Sequence, residues 1–320
     1  MPALKIEASR AAEALPRLVV PFKSDTIWSS VEPVFRVMAL EVMGNLEPSD
    51  PDSVRVLLRS LASTNVWVAT NAAVTLARAP MTDPRSMEVL AGGLLGRNER
   101  AAVESARALA RFGTNAAAFM PSIVEHLRQS KGRNSFRRIG ACLHVLRAMG
   151  PEAQVASPHV ADLLAEDASI YRDMPSFYAR AVRRYLLLTL GDIGTPPNAI
   201  PVIIDELNNA FDQPSIAAAA HAAGNLARGQ EKVVPFLKDA LARKGLDTSV
   251  SMETLESIRE LPERTSSAYL EIIQALERAG PMARIALPVL RQRAKDPIKR
   301  SPLSPPYQAA AAKAAERLAL

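Results

Sequence analysis

Four histidines, one cysteine and a set of closely spaced arginines are the side chains of this 320-residue chain whose types could do chemistry. The histidines are His126, His144, His159 and His221. A metal needs several converging ligands, and the nearest approach is His159 with Asp162 and Glu166, at steps of three and four along one helix. Such spacing arises readily on an exposed helix face, so no metal is expected. The lone Cys142 excludes an internal disulfide and falls in the apolar run IGACLHVL, where a small buried thiol is expected. There is no glycine-rich phosphate loop, no Gly-x-Ser-x-Gly elbow and no Cys/His zinc spacing. Serine and aspartate are plentiful but have no identifiable base to activate them. The expectation is a chain with no catalytic residues and no cofactor.

The arginines are more informative. Arg137 and Arg138 stand near the start of one apolar segment, and Arg180, Arg183 and Arg184, with Tyr178 beside them, near the start of the next of the same kind. Trp28 and Trp67 are the only tryptophans; Trp67, in NVWVATNAA, reads as a core or groove-edge anchor. With 39 basic and 33 acidic residues the formal charge is +6, a modest excess without a Lys/Arg tail or an aromatic platform for stacking bases.

These residues must be positioned by helices. A glycine is followed six to eight residues later by a proline at Gly113/Pro121, Gly150/Pro158, Gly194/Pro201, Gly229/Pro235 and Gly280/Pro288. Each proline opens an apolar helix, as in PSIVEHLRQ, PHVADLLAED and PFLKDALARK, because its missing N–H is not needed in a first turn. Asp50/Pro51 and Asp83/Pro84 are earlier versions of the same start, and ALPRLVVPFKS around Pro16 a further one. Longer segments such as NSFRRIGACLHVLRAMG and SFYARAVRRYLLLTLGDIG end at a glycine, which stops a helix in the left-handed conformation. Recurrence at about 34 to 53 residues is the mark of stacked helical hairpins. Aromatic residues are only 5% of the chain, so the core falls to Ala, Leu, Val and Ile, and Ala217 to Ala220 and Ala309 to Ala312 allow close helix approach. Gly92/Gly93 in VLAGGLLG read as close packing or local fraying. Two insertions, ASIYRDMPS and the stretch from Lys244 to Arg264, lengthen connections on one edge.

The order of apolar helix, short turn with Asp or Asn, second helix with an early Arg, then Leu-Gly or Met-Gly, resembles the HEAT repeat family and the phycobilisome-lyase-type repeats related to it. MPSIVEHLRQSKGRNSFRRIGACLHVLRAMG carries the likeness best. The resemblance implies an all-α, armadillo-like, right-handed α-solenoid of about seven to eight antiparallel helical hairpins, with residues 1–320 a single repeat domain. Second helices would line its concave side, placing Arg36, Arg107, Arg137, Arg138, Arg180, Arg183 and Arg184 there, with Arg36, Arg137 and Arg183 at the family's structural arginine position. Some HEAT-type hydroxylases bind iron through His-Glu dipeptides, and this chain has none, since Glu125/His126 runs in reverse.

The function expected is a non-catalytic protein-interaction scaffold whose Arg-rich groove, with Arg137, Arg138, Tyr178, Arg180, Arg183 and Arg184, receives a helix or acidic segment of a protein partner. Nucleic-acid binding through the same basic face, a chromophore-lyase subunit and an accessory module of a larger enzyme are the alternatives. Neither a leader peptide nor an apolar run approaching a membrane span is read in the sequence, and the expectation is a soluble, cytoplasmic protein without a membrane partner. MPALKIEASRAAEALPRLVV and AAAAKAAERLAL lack the polar caps that repeat arrays need, so the chain is read as a candidate module of a longer protein.

Overall fold

Glycine and proline punctuate the backbone as their chemistry requires. Gly150 and Gly280 take φ of 62° and 61°, where any other side chain is strained. Each stops a helix and begins a 3-10 segment, Gly150–Ala156 and Gly280–Ala286, after which Pro158 or Pro288 sits in the first turn of the next helix. The computed structural model describes residues 31–45, 51–78, 84–96, 98–130, 136–165, 169–210, 212–226, 230–247, 250–251, 265–297 and 307–320. The copy expected around Pro16, and Trp28, Asp50, Asp83, Glu166 and Gly229, lie outside these residues. The chain divides into two compact units, Met1–Phe119 and Met120–Leu320.

Among the described residues of the first unit, α1 (Pro33–Asn45) is followed by two hairpins, α2 (Pro51–Leu61) with α3 (Val66–Arg78) and α4 (Pro84–Leu95) with α5 (Glu99–Ala110). Second helices pack on second helices, α1 on α3 and α3 on α5, while α2 contacts α4. Asparagine starts two of them. Asn65 Oδ1 accepts from the Trp67 and Val68 N–H groups at 3.0 and 3.2 Å, and Asn98 Oδ1 from Ala101 N–H at 3.2 Å. Each satisfies donors that a helix start leaves open.

The described residues of the second unit form five hairpins: α6 (Met120–Gln129) with α7 (Phe136–Met149), α8 (Ser157–Asp162) with α9 (Ser176–Ile193), α10 (Ile200–Asn209) with α11 (Gln213–Gly224), α12 (Gln230–Ala242) with α13 (Ala268–Ala279), and α14 (Leu287–Ala294) with α15 (Gln308–Ala319). The second helices α7, α9, α11, α13 and α15 pack in that order. A two-residue antiparallel ladder, β1 (Val250–Ser251) with β2 (Thr265–Ser266), brackets part of the long insertion. The described helices make the protein an all-α solenoid.

Pro235 departs from the expected pattern. It lies inside α12 rather than at its start, because residues that elsewhere form a 3-10 segment after the glycine here continue as α-helix from Gln230. The helix loses the hydrogen bond that residue 235 would donate to Glu231.

Alanine and branched aliphatic residues fill the core, as the scarcity of rings requires. Ala217, Ala218, Ala219 and Ala220 are all fully buried in α11, which lies between α9 and α13, while at the chain's end only Ala311 of the Ala309 to Ala312 run is buried. Cys142 is free and fully buried, and burial pushes its thiol pKa up to about 12, against the opposing charge of Arg138. Among the described glycines the tightest approach is Gly191 on α9, where an added Cβ would come within 2.1 Å of the His221 Cδ2 on α11. Substitution Gly191→Ala should therefore push these helices apart and cost about 1–3 kcal/mol in chemical denaturation, whereas an exposed Ala148→Gly change should cost no more than about 1 kcal/mol.

Candidate partner-binding site

The amino-terminal ends of α7 and α9 meet through aromatic rings. Phe136 stacks on Tyr178 with ring centroids 4.4 Å apart and planes 19° from parallel, and Phe177 meets Tyr178 edge-on at 5.6 Å. Phe136 is buried, whereas Phe177 is 48% exposed, an apolar ring held at the surface by a packed one. The Arg137 guanidinium lies 5.8 Å from the Phe136 centroid, within cation–π range. Arg180, one half-turn beyond Tyr178, is exposed.

The other arginines of the sequence-defined set point elsewhere. Arg183 donates from Nε to Glu206 on α10 at 2.5 Å and from a terminal nitrogen to the Leu164 carbonyl, just past α8, at 2.7 Å. Arg184 is buried and donates to Asp212 at 3.3 Å, the carboxylate that also accepts from Ser215 N–H to cap α11. Burial lowers the Arg184 pKa; Asp212 opposes the shift and the nearby charge of Arg180 adds to it. Arg138 lies near His126 of its own hairpin, whose pKa is lowered by burial and then by that arginine's charge. The structure thus brings Arg137, Tyr178 and the unanticipated Phe136 and Phe177 together, sets Arg180 nearby on α9, and commits Arg183 and Arg184 to internal carboxylates and a carbonyl.

Capping carbonyls is a general task for arginine in this unit. Arg243 donates to Leu207 and Ala210 carbonyls at the end of α10, both at 3.1 Å. Arg293 donates to the Leu241, Ala242 and Arg243 carbonyls at the end of α12, at 2.9, 2.8 and 3.1 Å. Helix carboxyl ends carry open carbonyls and a partial negative charge, and a planar guanidinium answers both. Of the arginines assigned to a concave face in the first unit, Arg107 pairs with buried Glu104 at 3.2 Å. Trp67 is 63% exposed, with Arg100 6.0 Å from its ring.

A second cluster was not anticipated. His221 is buried in α11 with Nε2 2.8 Å from Asp192 on α9 and Nδ1 3.2 Å from Glu271 on α13. Arg147 of α7 donates to the other Asp192 oxygen at 2.6 Å and lies 5.1 Å from the Tyr185 ring. Burial acts to raise the Asp192 pKa, but hydrogen bonds and charges from His221 and Arg147 outweigh it and hold the carboxyl at about 2. The partners lie 29 and 50 residues from His221, beyond any local spacing rule. A usable signal was present nonetheless: a histidine surrounded by alanines in AAAAHAAG has to find polar partners on neighbouring helices. Among the described residues no group of three His, Cys, Asp or Glu side chains could hold a metal, and Asp162 accepts from Asn198 at 3.1 Å. No helix among the described residues is long and apolar enough to cross a membrane.

Fold and site together define a helical-repeat protein with an aromatic and arginine surface at one end of two second helices. Among solved structures, the chain is similar to an engineered protein at 17% identity, with 94% of this chain and 76% of that one covered and a TM-score of 0.53, a likeness of fold alone. Human deoxyhypusine hydroxylase aligns at 16% identity over 97% of this chain and 96% of its own, and a mutant of Kap121p at 12% over 99% and 40%, with TM-scores of 0.30 and 0.29 that carry no argument. No protein-family model and no curated protein matches the chain.

The Asp192 pKa sets an acid limb to stability. A carboxyl whose folded pKa lies near 2, below its ordinary 3.8, stabilises the fold above about pH 4 and loses that contribution as pH falls toward 2. In urea titrations Asp192→Asn should be less stable than wild type near neutrality by roughly 2 kcal/mol, and the difference should shrink steadily below pH 4.

Proposed function

We propose that the chain is a HEAT-type repeat scaffold, without catalysis of its own, that binds a protein partner at the amino-terminal ends of α7 and α9. The observation that carries this reading is the half-exposed Phe177 ring packed on the Phe136–Tyr178 stack, with Arg137 on that stack and exposed Arg180 on the same helix end. An exposed apolar ring held on a packed aromatic stack, with arginines on the same helix ends, has the composition of an interface anchor and its steering rim. The arginines favour an acidic segment and speed its encounter. Arg183 and Arg184 serve the same surface from within by fixing α9 against α8, α10 and the start of α11. Single-stranded nucleic acid is the second reading, favoured by the same juxtaposition of ring and guanidinium.

The test compares wild type with a Phe177→Ala/Arg137→Glu/Arg180→Glu variant in pull-downs from native lysate treated with nuclease. A discrete protein should be captured by wild type and lost from the variant, with the loss reproduced by high salt. Capture of nucleic acid without protein in untreated lysate would favour the second reading. Identical protein profiles from both would refute the assignment of this surface.

A further inference from the structure

Trp67 and Arg100 belong to the first unit and take no part in the partner surface just described. Each is the second residue of its helix, Trp67 of α3 and Arg100 of α5, and each helix start is fixed by the asparagine before it. Two further bonds stiffen the same corner: Asn71 Nδ2 donates to the Trp67 carbonyl at 2.9 Å, and Asn98 Nδ2 to the Val66 carbonyl at 3.4 Å. The indole is nevertheless mostly exposed, and so are Val66 beside it and Val34 and Phe35 at the start of the neighbouring α1. A large ring left in water on a fixed backbone gains by meeting a partner and loses little freedom in doing so.

The charges at this corner give the ring its preference. The exposed Arg100 guanidinium lies 6.0 Å from the indole centroid, at the limit of cation–π range. Glu99, half-buried before it, occupies the first turn of α5, where the helix start itself favours a negative charge. Glu32 precedes α1, whereas Arg100 belongs to α5, so an acidic group is favoured on the α5 side of the ring. In the second unit the same helix position holds Arg137 on α7 and Phe177 on α9. An arginine and an exposed aromatic ring thus occupy the second residues of adjacent second helices in each unit.

We propose that Trp67 and Arg100 form a second anchoring site for a protein partner, an acidic segment whose apolar side chain packs on the indole while a carboxylate meets Arg100. The class of partner rests on the reading of the α7–α9 surface; the place does not. The test uses the whole chain with Trp28→Phe, which leaves Trp67 the one tryptophan and its emission the reporter. The probe is the peptide acetyl-Glu-Glu-Asp-Leu-Leu-Glu-Asp-Glu-amide. In low salt it should shift Trp67 emission to the blue saturably, and a version with lysine at every acidic position should not. Arg100→Glu should weaken binding of the acidic peptide about fivefold or more and turn the preference toward the lysine peptide, an exchange that a misfolded variant would not show. Phe177→Ala/Arg137→Glu/Arg180→Glu should leave the Trp67 titration unchanged, so that the two sites stand or fail separately. Absence of a saturable shift, equal affinity in Arg100→Glu, or an equal response to both peptides would overturn the proposal. So would a tighter response to oligo-dT than to the acidic peptide, which would make this corner a nucleic-acid site.

Discussion

The second unit depends on how closely α9, α11 and α13 can approach. Residues Ile216 to Ala223 of α11 carry one isoleucine, six alanines and one histidine, so the flanking helices reach it almost along its whole length. Close approach leaves no room to solvate a polar group, and His221 must therefore be satisfied by its neighbours. Asp192 on one side, 2.8 Å from Nε2, and Glu271 on the other, 3.2 Å from Nδ1, supply those contacts. Gly191 is the complement: beside the ring, only a residue without a side chain fits. Asp192 also bonds Arg147 on α7, and separate polar contacts join Asn225 at the end of α11 to Arg278 on α13 and Glu277 on α13 to Arg317 on α15. Apolar packing supplies the gross stability of the stack, and the His221 cluster, with these inter-helix polar contacts, favours one register of its helices.

Several arginines of the second unit are engaged within the fold. Arg183, Arg243 and Arg293 each reach carbonyls at or just beyond the end of a first helix, and Arg184 braces the cap of α11. A buried guanidinium held by several acceptors is engaged in the fold and contributes little to a long-range field. Arg137, by contrast, lies over the Phe136 ring, and Arg180 is exposed on the same end of α9 as the half-exposed Phe177.

The hairpin pattern was legible because glycine and proline act locally. Positive φ at Gly150 and the missing N–H of Pro158 constrain the chain whatever packs against it, so helix ends follow from the residues alone. Pro235 misled for the same reason, since proline marks a first turn only when no longer helix absorbs it. Arginine roles were less legible, because a guanidinium near a helix start can face solvent or reach a carbonyl, and its reach to Leu164 or Glu206 is decided by the neighbouring helices. The His221 cluster depends on register between helices tens of residues apart, which no single-helix periodicity encodes. Gly92 and Gly93 look alike in sequence, and only the surroundings separate a packing contact from open space.

Native-state hydrogen exchange on His221→Ala tests most directly whether one buried imidazole joins three helices. If the cluster holds the stack, slow amides of α9, α11 and α13 should lose protection together and by similar factors, although the substitution lies in α11 alone. Loss confined to α11, with α9 and α13 exchanging as in wild type, would contradict the account and leave apolar packing as what holds the helices in order.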